Sequence, residues 1–222
     1  MGSTFDFLLI LGMVVMGIPM TLGAIRYGIA WWKGVITTIL LTVFGLIGTI
    51  LIFYVEYGRF GGTSFFGAVF FVPIAFALVS LVLRMPYTRV LDLCTIGLCI
   101  TMALLRFNCL KSGCCGGRML FGSVRFPSQM TELVVGLALA ALIIYWIFRV
   151  PQRHGRIYPW FMVLYGAIRS VLNLLRQEWV DYLTLDNPFP RGMIWSLLSL
   201  AIGLVWLWLA YRHRSKSEQP DA

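Results

Sequence analysis

Polar side chains recur at helical spacing along one apolar segment, residues 157–177. Tyr165, Arg169, Asn173 and Arg176 stand at positions i, i+4, i+8 and i+11. At 100° per residue, these positions fall within an arc of about 80° on a helix and form one polar stripe. A guanidinium keeps its charge in a protein, and its fork of N–H groups fits phosphate oxygens. The stripe therefore indicates an anion-binding surface.

A second interpretation of the stripe needs no ligand. Arg176 could extend along an apolar surface to a polar boundary, while Arg169 pairs with an internal acid such as Glu132. Glu132 follows Pro127, a residue suited to the first turn of a helix, and is expected about one turn inside it. Arg106, Arg169 and Lys111 are its candidate partners, and charge alone does not choose among them.

Residues 106–118 combine thiols, cations and glycines more densely than any other segment. They contain three of the five cysteines, three cations and three glycines: Cys109, Cys114, Cys115, Arg106, Lys111, Arg118, Gly113, Gly116 and Gly117. Glycines let the backbone approach a ligand closely and supply the positive φ that nests of N–H groups need. Cations beside a thiol favour its thiolate form. We interpret this segment as a loop that forms part of a site.

Several interpretations of these cysteines stay open. Cys109 could form a structural disulfide with Cys114 or Cys115, or a thiolate could act as a nucleophile, although no histidine base lies nearby. A metal site is disfavoured because His154 and His213 fall on the other side of the chain's topology. A redox pair is expected as Cys-x-x-Cys, a spacing absent here. Cys94 and Cys99 are expected to be packing residues.

The composition indicates a membrane protein. The chain has 222 residues, of which 59% are hydrophobic and 12% charged, with a mean hydropathy of +0.85. Soluble domains carry about 25% charged residues, so a soluble globule is effectively excluded. The formal charge of +9 points to anionic lipid headgroups rather than to nucleic acid. We predict one integral membrane domain, residues 1–214, followed by a short disordered cytoplasmic tail, residues 215–222.

Apolar runs predict an all-α fold of about seven transmembrane helices with glycine-rich loops at the outer face. The predicted spans are residues 7–24, 34–55, 64–83, 88–105, 128–148, 157–177 and 193–211. The span 64–83 begins in a glycine-rich run and could start as a re-entrant turn. The first span is expected to be retained rather than cleaved as a signal peptide.

The distribution of Lys and Arg predicts an outside N-terminus and a cytoplasmic C-terminus. This orientation places ten cations on the cytoplasmic side and seven outside, four of which lie in residues 106–125. Because that segment has the features of a site, its charges count less toward orientation. Arg26 and Tyr27, at the end of the first span, fit ordinary interfacial anchors.

The order of the motifs resembles the prolipoprotein diacylglyceryl transferase family. The resemblance covers residues 20–178 and rests on Tyr27-Gly28, Gly61-Gly62-x-Ser64-x-x-Gly67, Arg106 with Gly113 and Gly117, Pro127-Ser128-Gln129-x-x-Glu132, and Tyr165-Gly166-x-x-Arg169. The Cys109 and Gly113-Cys114-Cys115-x-Gly117 pattern resembles a cysteine-containing branch whose members need not share the transferase reaction.

The resemblance implies a bacterial inner-membrane enzyme that acts on phosphatidylglycerol. In that family the diacylglyceryl group moves to the cysteine thiol of a secreted lipobox preprotein, and glycerol phosphate is released. Arg106 and Arg169 would bind the phosphate, and Tyr27 and Tyr165 would stand where the family has essential tyrosines. With Cys109, Cys114 and Cys115, these form the expected catalytic set. The expected substrate-binding set is Gly61, Gly62, Ser64, Gly67, Gly113, Gly117, Gln129, Glu132 and Asn173. No metal or other cofactor is expected.

Four positions depart from the family pattern. Phe66 replaces the histidine of the glycine-rich turn, and Cys109, Cys114 and Asn173 replace an asparagine and two glutamates. Both arginines, both tyrosines and Glu132 remain, so lipid and anion binding is expected to persist while proton transfer changes. Two alternatives to the family reaction therefore stay open. One is lipid or sulfur transfer, or thiol redox chemistry, through Cys109, Cys114 or Cys115, and the other is lipid binding without catalysis.

Overall fold

A computed structural model confirms the all-α fold, and within the residues that it describes seven helices cover the seven predicted segments. It describes residues 2–112, 117, 119–120, 124–175 and 191–217. The helices are α1 Gly2–Arg26, α2 Trp31–Tyr57, α3 Phe65–Val82, α4 Tyr87–Ser112, α5 Ser128–Arg149, α6 Ile157–Leu174 and α7 Arg191–Ser217. Pro151–Arg153 form a 3₁₀ turn. Strands β1 Met119–Leu120 and β2 Val124–Arg125 pair antiparallel, with Met119 opposite Arg125.

Five of these helices, α2, α3, α4, α5 and α7, are long and apolar enough to cross a membrane. The apolar part of α1, Leu11–Arg26, is shorter, and α6 carries Arg169 and Asn173 within its 18 residues. The chain is thus a multi-pass membrane protein, and the number of seven spans stays a prediction. Helix α7 extends to Ser217, three residues into the predicted tail; residues 218–222 lie outside the described part.

Helix α4 lies at the centre of the bundle. It packs against α1, α3, α5 and α6, and every residue from 90 to 100 is buried. A helix that is apolar around its whole circumference must be surrounded by other helices or by lipid. Cys94 and Cys99 lie in this buried run, as their predicted packing role requires. The outward faces of the surrounding helices expose large apolar side chains, among them Ile18, Leu78 and Val205.

Consecutive helices run in opposite directions, so the bundle has two distinct ends. We call the end where α1 finishes and α4 and α6 begin the basic end, since it holds Arg26, Arg89 and Arg156. We call the opposite end the glycine-rich end. There α2 finishes, and α3 starts after Gly61 and Gly62.

Glycines allow two pairs of helices to approach closely. A Cβ on Gly67 of α3 would collide with the carbonyl of Gly48 on α2. A Cβ on Gly166 of α6 would lie 2.7 Å from the backbone of Ser196 and Leu200 on α7. Small residues at helix interfaces let backbones come together, which is a main source of packing energy within a membrane.

The structure corrects one boundary. Residues from Arg106 onward were predicted to form a loop, but α4 continues through Arg106 and Cys109 to Ser112. A helix in a bundle need not end where its apolar run ends, because neighbouring helices keep packing against it. Arg106 and Cys109 consequently lie one helical turn apart on the same helix.

Candidate functional site

Two arginines and one glutamate meet near the glycine-rich end. Arg106 Nε lies 2.5 Å from Glu132 Oε2, and Arg169 Nη1 lies 2.5 Å from Glu132 Oε1. The three residues come from three consecutive helices, α4, α5 and α6. Among the candidate partners of Glu132, the structure therefore selects both arginines at once.

This cluster is largely shielded from solvent, and its three residues include two cations and one anion. Glu132 and Arg169 are buried, whereas the Arg106 side chain keeps 15% of its exposure. Two guanidinium groups against one carboxylate leave a formal charge of +1. The interpretation in which Arg169 pairs with Glu132 is confirmed as a contact, but that pair does not neutralise the cluster. A buried group of this kind is expected to serve either structure or anion binding.

Cys109 lies beside the same cluster. Arg106 Nη1 is 4.0 Å from Cys109 Sγ, and the cysteine is partly exposed. A guanidinium near a thiol favours the thiolate. The helical continuation of α4 produces this contact, because residues i and i+3 lie on the same face.

Tyr165 packs against three aromatic rings. Its ring centroid lies 5.3 Å from that of Phe65, 5.4 Å from Phe66 and 5.6 Å from Phe161. Both phenylalanines from α3 are buried. Phe66, at the position where the resemblance implies a histidine, thus serves as an apolar packing partner of Tyr165.

Asn173 completes the polar stripe of α6 in a buried position. Its Nδ2 donates a hydrogen bond of 3.1 Å to Ser196 Oγ on α7, and a Cβ on Gly192 would lie 3.5 Å from the same nitrogen, an ordinary van der Waals contact. One residue of the stripe therefore has a structural contact, since Asn173 joins α6 to α7. Arg176 lies outside the described residues.

The glycine-rich turn before α3 is shaped by close packing. Gly61 has a φ of 126°, a conformation that side chains other than glycine rarely adopt. A Cβ on Gly62 would collide with the ring of Phe53. The Ser64 backbone N–H donates a hydrogen bond of 3.0 Å to the Thr49 carbonyl. Substrate binding by Gly61, Gly62, Ser64 and Gly67 stays a prediction.

The second glycine-rich segment is only partly described. Gly117 is buried, and a Cβ there would collide with the carbonyl of Phe126. Gln129 is half-buried on the first turn of α5, three residues before Glu132. Three predicted site residues, Gly113, Cys114 and Cys115, lie outside the described residues. The pairing of Cys109 with either cysteine stays open.

Tyr27 lies at the basic end, apart from the arginine cluster. Its hydroxyl donates a hydrogen bond of 3.1 Å to Asp92 Oδ2, and burial, followed by the charge of Asp92, raises the pKa of Tyr27. Asp92 precedes Arg106 by 14 residues on α4, which separates the two by about 21 Å along the helix. The structure does not bring Tyr27 to Arg106, Glu132 and Arg169.

Sequence reasoning missed Asp92. Besides Tyr27, it accepts hydrogen bonds from the backbone N–H groups of Gly155, at 2.5 Å, and Ile157, at 3.1 Å. It therefore caps the start of α6. A single acid inside an apolar span was the available signal, since such a group is costly without partners.

No group of three or more metal-binding side chains occurs among the described residues. His154, at the basic end, contacts the Tyr27 ring edge-on at 4.7 Å and bonds through Nε2 to the carbonyl of Ile147. His154 therefore has a packing role.

Comparisons with known proteins agree with the motif order. The family model for prolipoprotein diacylglyceryl transferase matches residues 3–209. The chain is 35% identical over 98 residues to the phosphatidylglycerol–prolipoprotein diacylglyceryl transferase of Nitrosomonas europaea, covering 43% of the chain and 34% of that protein. It is 28% identical over 94 residues to the protein of the same name from Serratia proteamaculans, covering 42% and 32%. The matched region thus spans about a third of the length of these curated relatives.

Proposed function

This chain belongs to the prolipoprotein diacylglyceryl transferase family, and we propose that it is a membrane transferase acting on an anionic phospholipid similar to phosphatidylglycerol. The observation that carries the proposal is the attachment of Arg106 and Arg169 to the two oxygens of Glu132. One carboxylate thereby holds two guanidinium groups from different helices in a fixed arrangement. The curated relatives supply the reaction class in their names.

The charge of this cluster fits a phosphodiester. A phosphatidylglycerol headgroup carries one negative charge, equal and opposite to the formal charge of the two arginines with Glu132. During transfer, further negative charge develops on the departing phosphate oxygen. Fixed guanidinium groups in a site of low dielectric stabilise such charge without reorganisation, which is the most effective use of a cation in catalysis.

The proposed reaction joins sulfur to carbon. The thiol of a lipobox cysteine loses its proton to water or to the released phosphate. Its sulfur attacks the carbon of the diacylglyceryl group that is bonded to the phosphate oxygen. The carbon–oxygen bond to phosphate breaks, and glycerol phosphate departs with the bonding electrons. In this proposal Arg106 meets the lipid, which its partly exposed side chain supports, and the more buried Arg169 orients Glu132.

Phe66 limits the ways in which the proton can move. The resemblance implies a histidine there, but the phenylalanine ring packs on Tyr165.

The chain is a multi-pass bacterial membrane protein, and we place its N-terminus outside and its C-terminus in the cytoplasm. In that orientation the arginine cluster lies toward the outer leaflet, where secreted preproteins emerge.

The test uses purified protein in mixed micelles with headgroup-labelled phosphatidylglycerol and a lipobox peptide. We expect thioether-linked lipid on the peptide and one released glycerol phosphate per product. Arg106→Gln is expected to lower the rate at least about 100-fold, the scale for loss of one transition-state donor. Arg59→Gln removes an exposed cation near the same end and serves as the matched control.

A folded protein that binds phosphatidylglycerol but yields no product, and does not rescue a transferase-depleted strain, would overturn the transferase proposal in favour of lipid binding alone. Thermal unfolding of each variant separates loss of the site from loss of the fold. Arg169→Lys keeps the charge while losing the fork, so it tests the geometry of the pair with Glu132.

The contact between Arg106 and Cys109 supports a second candidate function, in which a cysteine thiolate is the nucleophile. Cys109→Ser should then abolish activity while leaving phospholipid binding intact. In the primary proposal the acceptor thiol belongs to the peptide, so Cys109→Ser is expected to retain most of the rate. Peptides with serine in place of the lipobox cysteine discriminate further, because only the primary proposal requires that thiol.

A further inference from the structure

A second group of cations lies at the basic end, each held against an aromatic ring. The guanidinium carbon of Arg153 lies 4.2 Å from the ring centroid of Trp146 and 5.1 Å from that of Trp160. Arg156 lies 4.4 Å from the Tyr211 ring. We call Arg153, Arg156, Trp146, Trp160 and Tyr211 the cation–aromatic band. It joins the end of α5, the start of α6 and the end of α7.

Carboxylates do not neutralise this band within the part of the chain that the structure describes. The two ion pairs found there both involve Glu132, toward the other end of the bundle. Asp92 is the acid described at the basic end, and it is buried and bonded to Tyr27, Gly155 and Ile157. Among the described residues, no carboxylate forms an ion pair with Arg153 or Arg156.

The rings fix the position of the guanidinium groups along the axis of the helix bundle. Trp146 is buried and Trp160 packs against the core, so these two rings hold Arg153 in a fixed position. Tyr211 is exposed on α7, and an exposed tyrosine near a helix end prefers the boundary between acyl chains and headgroups. A guanidinium stacked on a ring face is attracted by the ring quadrupole but retains its charge and its in-plane donors. Arg153 and Arg156 are accordingly held at the depth of phosphate groups.

The neighbouring surface identifies the partner as a lipid rather than a soluble anion. On α7, the turns next to Tyr211 expose Val205, Trp208 and Leu209, an apolar face suited to acyl chains. A ligand that meets both surfaces must combine a phosphate with a hydrocarbon tail. Nothing in this arrangement depends on the arginine cluster, since Arg156 and Arg169 are separated by 13 positions on α6, or about 20 Å.

We propose that the cation–aromatic band is a binding site for anionic phospholipid headgroups in the leaflet at the basic end, distinct from the site of Arg106 and Arg169. The site recognises the phosphate of a negatively charged lipid and does not transfer it. Each cation near a membrane surface raises the affinity for an anionic lipid by about fivefold. Two cations together give about 30-fold.

The test is a lipid titration read by native mass spectrometry. The full chain in detergent is mixed with increasing amounts of phosphatidylserine or of phosphatidylcholine, and the lipid-bound fraction is measured. Phosphatidylserine carries net negative charge without the glycerol headgroup of the proposed substrate. We expect it to bind the wild type much more tightly than phosphatidylcholine. The double variant Arg153→Gln/Arg156→Gln should bind phosphatidylserine about 30-fold more weakly.

Two further variants separate this site from general attraction. Arg26→Gln/Arg84→Gln removes two exposed cations from the same end and should leave affinity nearly unchanged. Arg153→Lys/Arg156→Lys keeps the charge and should retain most of the binding, which shows that the band still folds. Equal losses in the two glutamine pairs, equal binding of the two lipids, or competition by millimolar inorganic phosphate in place of lipid would each overturn the proposal.

Discussion

The hydroxyl of Tyr27 donates a hydrogen bond to the carboxylate of Asp92 at the opposite end of the bundle from the pair formed by Arg106 and Glu132. Asp92 also accepts hydrogen bonds from the backbone N–H groups of Gly155, just before α6, and of Ile157, its first residue. Tyr27 thus connects the end of α1 to both α4 and α6. We interpret it as a positioning residue, which acts on the arginine cluster only through the helices that carry it.

Tyr27→Phe should lower stability more than it changes phospholipid binding. The substitution leaves one acceptor of a buried carboxylate without its donor, at a cost of about 1–3 kcal/mol. Thermal unfolding in detergent measures the loss. Tyr54→Phe is the matched control, because Tyr54 is exposed at 44%. Complete loss of lipid binding by Tyr27→Phe without a change in stability would contradict the positioning role.

The stability of the wild type should fall in strongly alkaline solution partly because of Tyr27. Burial raises the pKa of Tyr27 in the folded chain, so the unfolded chain releases this proton first. The stabilisation is therefore complete below the ordinary tyrosine pKa of about 10 and is lost as pH rises above it. Unfolding midpoints of wild type and Tyr27→Phe, measured between pH 8 and about 11, should converge as pH increases.

Glu132→Ala should destabilise the chain by about 3–5 kcal/mol, because it leaves two arginines near one another without their shared carboxylate. Thr131→Ala, on the adjacent position of α5, removes only an exposed hydrogen bond to the Pro127 carbonyl and is expected to change stability little. Chemical unfolding in detergent compares the two. Similar effects from both substitutions would show that the ion pairs contribute nothing specific.

Gly67→Ala should separate α2 from α3, because its Cβ would collide with the Gly48 carbonyl. We expect a loss of at least about 2 kcal/mol, typical of overpacking. Gly45→Ala is the control on the same interface, where the nearest atom to a new Cβ is the Ala68 methyl at 3.9 Å. That variant should be neutral or slightly more stable, since alanine favours helices.

Phe66→His should reduce stability more than Phe66→Leu. The imidazole would bring polar nitrogens into the aromatic surroundings of Tyr165, where burial without a partner costs about 1–3 kcal/mol. Leucine loses ring contacts but adds no polar atom. Paired unfolding curves at neutral pH decide the order. A histidine variant as stable as wild type would mean that an additional polar partner lies within reach.

The sequence by itself determined the class of fold. An apolar run is a local property, so the seven described helices lie where composition placed them, five of them long enough to span a membrane. Glu132 falls near the start of α5, as Pro127 suggested. The polar stripe on α6 was equally predictable, because it depends only on 3.6-residue periodicity. The family follows from motif order, which is also a linear property.

Only the tertiary structure decided which of these residues meet. Any nearby cation can pair with a carboxylate, so the sequence could not choose among the three candidate partners of Glu132. The packing of α4, α5 and α6 brings both arginines to it. The continuation of α4 past Arg106 depends on its neighbours rather than on its own hydropathy. Tyr27 and Asp92, 65 positions apart, form their pair because α1 ends where α4 begins. The bundle thereby divides one set of family residues between its two ends.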